Sequence, residues 1–370
     1  MQVPLLDLKA QYATLKEEMM REVEAVMDSQ YFINGPWVGQ LEKEIAEYCD
    51  TAASIGVSSG TDALLVSLMA LDIKEGDEVI TTPFTFFATV GSIWRVGAKP
   101  VFVDIDPKTY NIDPALIEAA ITPRTKAIMP VHIFGQCADM DPILEIAKKH
   151  NLHVIEDACQ AIGSKYKGQR AGSMGDTGCF SFFPSKNLGG LGDGGIVTTN
   201  DENLATKLRQ CRNHGMEPAY IHKWVGGNFR LDSLQAAGLS VKLKHLESWH
   251  EARRKNAAFY DQQFADIEEI TTPFIHEDCE TVYNQYVIRV PQRDKCLEFL
   301  RSNGVGCAVY YPLSLHMQEC FLDMNYKEGD FPICEKACEE VIALPVYPEL
   351  TSDQLEYVVA KVKEFIASVK

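Results

Sequence analysis

No apolar run in the 370 residues approaches the roughly 18 to 20 that a membrane span requires, so a helical membrane protein is excluded. The amino terminus lacks a cationic stretch leading into an apolar block, which predicts no secretory signal and a cytosolic (cytoplasmic) protein. Basic residues are in deficit: 35 Lys and Arg stand against 52 Asp and Glu, a formal charge of −17, with no local basic patch to hold nucleic acid or an anionic membrane. There is no internal repeat and no linker-like segment, which at this length predicts about two closely packed domains. The 11 cysteines include no CxxC pair, and Cys49, Cys159 and Cys179 sit in apolar runs, so they read as buried thiols rather than a disulfide framework. None of the 9 histidines falls in HExxH or a cysteine-flanked set, so no metal site is expected, and no GxSxG elbow marks a hydrolase. What remains is ordinary globular composition, 46% hydrophobic and 24% charged.

From about residue 50 to 200, short β-branched runs alternate with segments of helical period. The strand candidates are SIGVSS, DEVITT, KPVFVDI, KAIMPVHIF, LHVIEDA, GCFSFF and GIVTTN. Between them TDALLVSLMALDI, DPALIEAAI, DMDPILEIAKKH and DENLATKLRQCRNH read as helices. This alternation predicts an α/β domain with a largely parallel sheet covered on both faces, and ligands at the carboxyl ends of its strands. After residue 230 the pattern changes to long helical material over LDSLQAAGLSVKLKHLESWHEARRKNAAFYDQQFA. A boundary near residue 245 is expected, with residues 1–245 forming the large domain and 246–370 a smaller α+β domain. The latter holds a strand at YNQYVIRV and helices at DKCLEFLRSNG, FPICEKACEEVIA and SDQLEYVVAKVKEFIASV. The KEE and EARRK clusters read as solvated helix faces.

Four constellations carry chemistry. In SSGTDALL a strand ends and a helix begins, so Gly60 lets a ligand approach the backbone while Thr61 offers a hydroxyl beside unpaired amides. The pattern suits a phosphate, and equally suits a plain helix cap. Asp157 ends the apolar run LHVIE and should project from a buried strand, where its charge needs a partner: a protonated heterocycle, a salt bridge or a cap. Lys186 follows an aromatic strand and precedes a glycine-dense run, FSFFPSKNLGGLGDGG, which allows a cofactor to lie close. The string GGLGDGG is no dinucleotide fingerprint, because it has the wrong spacing and leads into a strand. In TPFTFFATV, paired aromatics after a strand could stack on a ring or simply fill the core.

The ordered motifs GTDAL, PFTFFAT, EDACQ, SFFPSKNLGGLGDGG and GGNFRLDSLQAA, with DLKAQY near the start, resemble the DegT-type sugar aminotransferases, which are fold type I pyridoxal-phosphate enzymes acting on nucleotide-linked ketosugars. The resemblance implies a large domain with a mostly parallel seven-stranded sheet between helices and a smaller C-terminal α+β domain. It implies that Lys186 carries pyridoxal 5'-phosphate, that Asp157 faces the pyridinium nitrogen, and that Gln160 lies near the ring hydroxyl. Gly60, Thr61 and Ser181 would hold the phosphate, and Phe86 would stack on the ring. Asn228 would reach the phosphate of the other subunit, implying a homodimer with shared active sites. Arg230, Tyr310 and His316 would line the sugar side. The chain has Tyr310-Tyr311-Pro312 where many relatives have His-Tyr-Pro, and YYPLSLHMQ leans toward a 3-keto rather than a 4-keto sugar.

The activity so implied moves an amino group from an amino acid, by resemblance glutamate, to the ketosugar, with Lys186 as the proton-shuttling base. Two other readings follow from the same resemblance. Relatives with histidine in place of the lysine are dehydratases, and Lys186 argues against that. A sugar-nucleotide-binding regulator without turnover is the alternative of another class, although no helix-turn-helix segment or basic face supports it.

Overall fold

The computed structural model describes residues 1–369. The first helix, α1 (Leu8–Ser29), starts where the Asp7 carboxylate accepts from the Lys9 and Ala10 amides, and it buries Leu15, Met19 and Val26 along one face. The second, α2 (Pro36–Tyr48), has proline in its first turn, where a missing N–H removes no helix bond.

Seven strands then form one sheet: β1 (Ala53–Val57), β2 (Glu78–Thr81), β3 (Lys99–Phe102), β4 (Thr125–Ile128), β5 (His153–Asp157), β8 (Thr177–Ser181) and β9 (Gly195–Thr199). The short hairpin β6 (Lys165–Tyr166) and β7 (Gln169–Arg170) interrupts the series. The strand order is β1-β9-β8-β5-β4-β2-β3, parallel throughout except that β9 runs against both its neighbours. Period-two alternation divides the strand residues between two cores: Val154, Phe180 and Ile196 face one, whereas Ile155, Cys179 and Val197 face the other. The first core is closed by α2, α6 (Met140–His150) and α8 (Ser233–Leu243), the second by α3 (Gly60–Ala70), α4 (Phe87–Arg95) and α7 (Glu202–Arg212). The mostly parallel seven-stranded sheet between helices is therefore as expected.

The DPALIEAAI segment is less regular than its period suggests, with only α5 (Pro114–Ile117) as α-helix and a 3-10 turn after it. The long helical stretch after residue 231 breaks at Lys244 and His245, because α8 packs on α1 and α2 while α9 (Leu246–Phe264) turns into a separate core. That core joins Tyr260 and Phe264 to β11 (Tyr286–Arg289), α10 (Arg293–Ser302), β12 (Val341–Leu344) and α12 (Ser352–Val369), and it takes in Val3 from the amino terminus. The pair β10 (Cys279–Glu280) extends the β6–β7 hairpin. In FPICEKACEEVIA the helix α11 (Pro332–Glu340) stops before the final apolar residues, which form β12 antiparallel to β11; this corrects the all-helical reading. A short apolar run has no period to tell strand from helix, and here pairing with β11 decides.

Eight of the cysteines are buried, Cys159 and Cys279 are half-buried, Cys320 is exposed, and all are free thiols. Among the described residues no helix is long and apolar enough to cross a membrane.

Candidate active site

The register of the sheet gathers four chain ends. Val57, the last residue of β1, pairs with Gly195 at the start of β9. Gly195 in turn pairs with Ser181 at the end of β8, and Cys179 of β8 pairs with Asp157 at the end of β5. The helix α3 begins three residues after Val57, so Gly60, Ser181, Asp157 and the loop carrying Lys186 share one edge, at the carboxyl ends of parallel strands.

At the start of α3 the cap is Ser59, whose Oγ accepts from the Asp62 amide at 3.1 Å and donates to the Asp62 carboxylate at 2.8 Å. Thr61 is thus not the cap, and the amides of Gly60 and Thr61 have no partner among the described residues. A Cβ on Gly60 would stand 2.6 Å from Ser181 Cβ and 3.0 Å from Ser181 Oγ, so glycine is what leaves this cradle open. Two bare amides at the positive end of a helix beside a serine hydroxyl could hold an anion.

Asp157 is 5% exposed and makes no ion pair among the described residues. Its Oδ2 accepts from Thr89 Oγ1 at 2.7 Å and its Oδ1 from the Cys159 amide at 3.2 Å. The neighbouring Glu156 points to the other face and is wholly buried. It accepts from the amides of Gly172, Met174 and Gly175 at 2.7–2.8 Å and from His132 Nε2 at 2.9 Å. His132 Nδ1 accepts from the Ala138 amide, which places the ring proton on Nε2 and makes it the donor to Glu156. Glu156 thereby fastens the end of β5, from which Asp157 projects.

Lys186 sits in a turn beyond β8, its amide donating to the Phe183 carbonyl at 2.8 Å. The residue is half-buried, yet its ammonium end lies inside the protein, and burial lowers its pKa from the usual lysine range against the opposing charges of Cys159 and Asp157. No hydrogen bond or ion pair is formed by its Nζ among the described residues. The loop around it is tied down on several sides. Asn187 donates to the Val282 carbonyl at 3.0 Å and accepts from Asn284 at 2.8 Å, while Lys242 Nζ donates to the Gly189 carbonyl at 2.6 Å. A Cβ on Gly189 would collide with the Pro184 carbonyl, which explains a glycine there.

The other expected residues are more dispersed. Phe86 precedes the first turn of α4 and is 58% exposed. Gln160 is buried, takes the Phe134 amide on Oε1 at 2.7 Å and donates from Nε2 to the Tyr311 hydroxyl at 3.0 Å. Tyr310 is half-buried beside it, with ring centroids 5.9 Å apart. Asn228 is exposed, on a segment held to the site edge by the Ser58 amide bond to Phe229 and the bridge of Arg230 to Val57. Arg230 donates to Asn213 at 2.8 Å. His316 is not at the edge: it is wholly buried, 2.6 Å from Ser314 Oγ and 4.8 Å from the Phe331 ring. Its Nε2 is 3.1 Å from Glu335 without hydrogen-bond geometry, and burial lowers its pKa despite that carboxylate.

Thr89, Glu156, Asn187 and Tyr311 reach the site or its supports without having been singled out for a role. Their only signal in the sequence is a polar residue inside an otherwise buried run.

An amine of lowered pKa, a buried carboxylate and bare helix amides at the strand ends of an α/β sheet could together hold a phosphorylated carbonyl cofactor. The description "DegT/DnrJ/EryC1/StrS aminotransferase family" matches residues 13–363. A protein of Geobacillus stearothermophilus called "Pleiotropic regulatory protein" is 52% identical over 99% of both chains. The UDP-2-acetamido-2-deoxy-3-oxo-D-glucuronate aminotransferase of Pseudomonas aeruginosa is 44% identical, over 97% of this chain and 99% of its own. The solved structure of S. venezuelae DesV, in complex with a ketimine intermediate, superposes with a TM-score of 0.97 at 40% identity, covering 99% of this chain and 98% of that one. The chain belongs to the DegT/DnrJ/EryC1/StrS aminotransferase family.

Proposed function

We propose that this aminotransferase uses pyridoxal 5'-phosphate to move an amino group from glutamate to the 3-keto position of a nucleotide-linked sugar, as a homodimer. The observation that carries the reading is the convergence of the Lys186 amine, the Asp157 carboxylate and the bare α3 amides on one sheet edge. The residues present fit the cofactor: Gly60, Thr61 and Ser181 would take its phosphate, Phe86 one face of its ring, Asp157 its ring nitrogen and Lys186 its aldehyde. When bound, that cofactor supplies a carbonyl for the amino group and a ring that accepts an electron pair. Lys186 Nζ, whose pKa burial lowers from the usual lysine range, would take a proton and give it back. The Asp157 carboxylate, held by two donors, would face the ring N–H. The 3-keto assignment is supported by the name of the Pseudomonas aeruginosa relative, a 3-oxo-sugar aminotransferase. The test is incubation with glutamate and a panel of UDP- and dTDP-linked 3-keto and 4-ketosugars, read by product mass. Aminated 3-ketosugar is expected. Amination of 4-ketosugars alone would overturn the position, and tight sugar-nucleotide binding without any product would favour the regulatory reading suggested by the Geobacillus relative's name.

Support for the dimer comes from the segment that carries Asn228, where Tyr220 is 91% and Val225 93% exposed, beside exposed Ile221 and Trp224. If Asn228 completes the partner's phosphate site, mixing Lys186→Ala chains with Asn228→Ala chains yields dimers in which one site keeps both native residues. Activity is therefore expected to return on subunit exchange. No recovery after proven exchange, with a defect in each parent, would confine Asn228 to its own chain.

A further inference from the structure

We infer that Thr89, backed by Thr85, is a positioning residue that orients the Asp157 carboxylate; this rests on the cofactor reading above. Thr89 is wholly buried in the first turn of α4 and Thr85, 2% exposed, lies four residues earlier. Thr89 Oγ1 is 2.7 Å from Asp157 Oδ2 and 2.8 Å from Thr85 Oγ1. The direction of this chain follows from proton count. An ionised carboxylate only accepts, so the single hydroxyl proton of Thr89 goes to Asp157, and the contact between the threonines uses the proton of Thr85. Thr85 thus donates to Thr89 and Thr89 to Asp157, each bond polarising the next.

The Cys159 thiol lies beside that carboxylate but donates to the Cys179 carbonyl at 3.5 Å, and among the described residues no other hydroxyl or amide side chain donates to it. Its remaining donor is the Cys159 amide at 3.2 Å, longer than the usual charge-assisted bond. Without Thr89, Oδ2 loses the hydroxyl donor that orients it, and the carboxylate can turn about its last bond. The same turn of α4 begins after Phe86, so one local structure sets both the proposed stacking ring and the carboxylate. The hydroxyl touches Asp157 and acts through it, which separates its role from that of the groups at the cofactor itself.

The experiment uses the holoenzyme loaded with pyridoxal phosphate carrying 15N in the ring. In Thr89→Val, which keeps the shape and deletes the hydroxyl, the ring-nitrogen resonance is expected to move from its wild-type position toward that of an unprotonated pyridine. The value of kcat should fall about tenfold to a hundredfold, the range for losing one hydrogen bond to a charged group, while KM for the amino donor is unchanged. Thr89→Ser should restore both readings, and Thr85→Val should move them the same way by less. A wild-type resonance and kcat in Thr89→Val overturn the inference. If Thr89→Val does not fold, Thr85→Val decides, and wild-type behaviour there overturns it equally. A wild-type protein that binds no cofactor would instead refute the functional reading.

Discussion

Replacing Lys186 with alanine is expected to stop amino transfer, with a loss of roughly a thousandfold or more, while the protein keeps its fold and holds pyridoxal phosphate non-covalently. The fold should survive because Nζ makes no hydrogen bond or ion pair that its removal would strand, and taking away an ammonium that burial already disfavours relieves a cost. The loop keeps its shape through Asn187, Gly189 and Leu191, whose bonds to Asn284, Lys242 and Gln235 do not involve the lysine side chain. Retention of cofactor is expected from the phosphate cradle proposed at Gly60, Thr61 and Ser181, which the substitution leaves untouched. Borohydride reduction followed by mass analysis of peptides checks the assignment. Wild-type protein should carry the reduced cofactor on the peptide containing Lys186, and the variant on none. A trapped adduct on another lysine in the variant, with transfer intact, would show that Lys186 is not the group that holds the cofactor.

How much of this could be read from residue order alone depends on how local the cause is. Asp157 and Lys186 stand out because each follows a run of buried strand residues, and a charge at such a point has few ways to be satisfied; β5 and β8 end as the runs suggest. The α3 start was legible as an anion site or a cap; the cap is Ser59, bonded to Asp62, and it leaves the next amides bare for the phosphate proposed there. Thr89 was not legible, since its partner is 68 positions away and the PFTFFAT motif draws notice to its rings. The helices α1 and α2 carry no alternation with strands, so the pattern that organises residues 50 to 200 says nothing of them. The strand β12 is set by pairing with the distant β11 and by the bridge of Ala343 to Ala308, and α9 leaves the core it shares with α8 at Leu246 for a second one at Tyr260 and Phe264. His316, read from a local motif, lies behind Phe331 and Ser314, a matter of how distant segments close on one another.

Asp157→Asn is expected to lower kcat on the order of a hundredfold or more with little change in stability. The stability follows from the hydrogen-bond count around the side chain. The amide oxygen of asparagine can keep the Cys159 N–H, and its Nδ2 can donate to Thr89 Oγ1 if the Thr89 hydroxyl turns toward Thr85. Reversing that short chain leaves each buried polar atom with a partner, so the variant should melt close to wild type. What it lacks is the negative charge. An amide cannot hold a ring nitrogen protonated, and the electron pair released when Lys186 takes its proton then has a poorer sink. The deficit should therefore appear in kcat for both half-reactions, with binding of the cofactor's phosphate unaltered because α3 and Ser181 are untouched. Single-turnover rates with glutamate, and separately with the aminated sugar in reverse, check this. Wild-type rates in Asp157→Asn would leave the carboxylate with no role beyond packing against Thr89 and the end of β5.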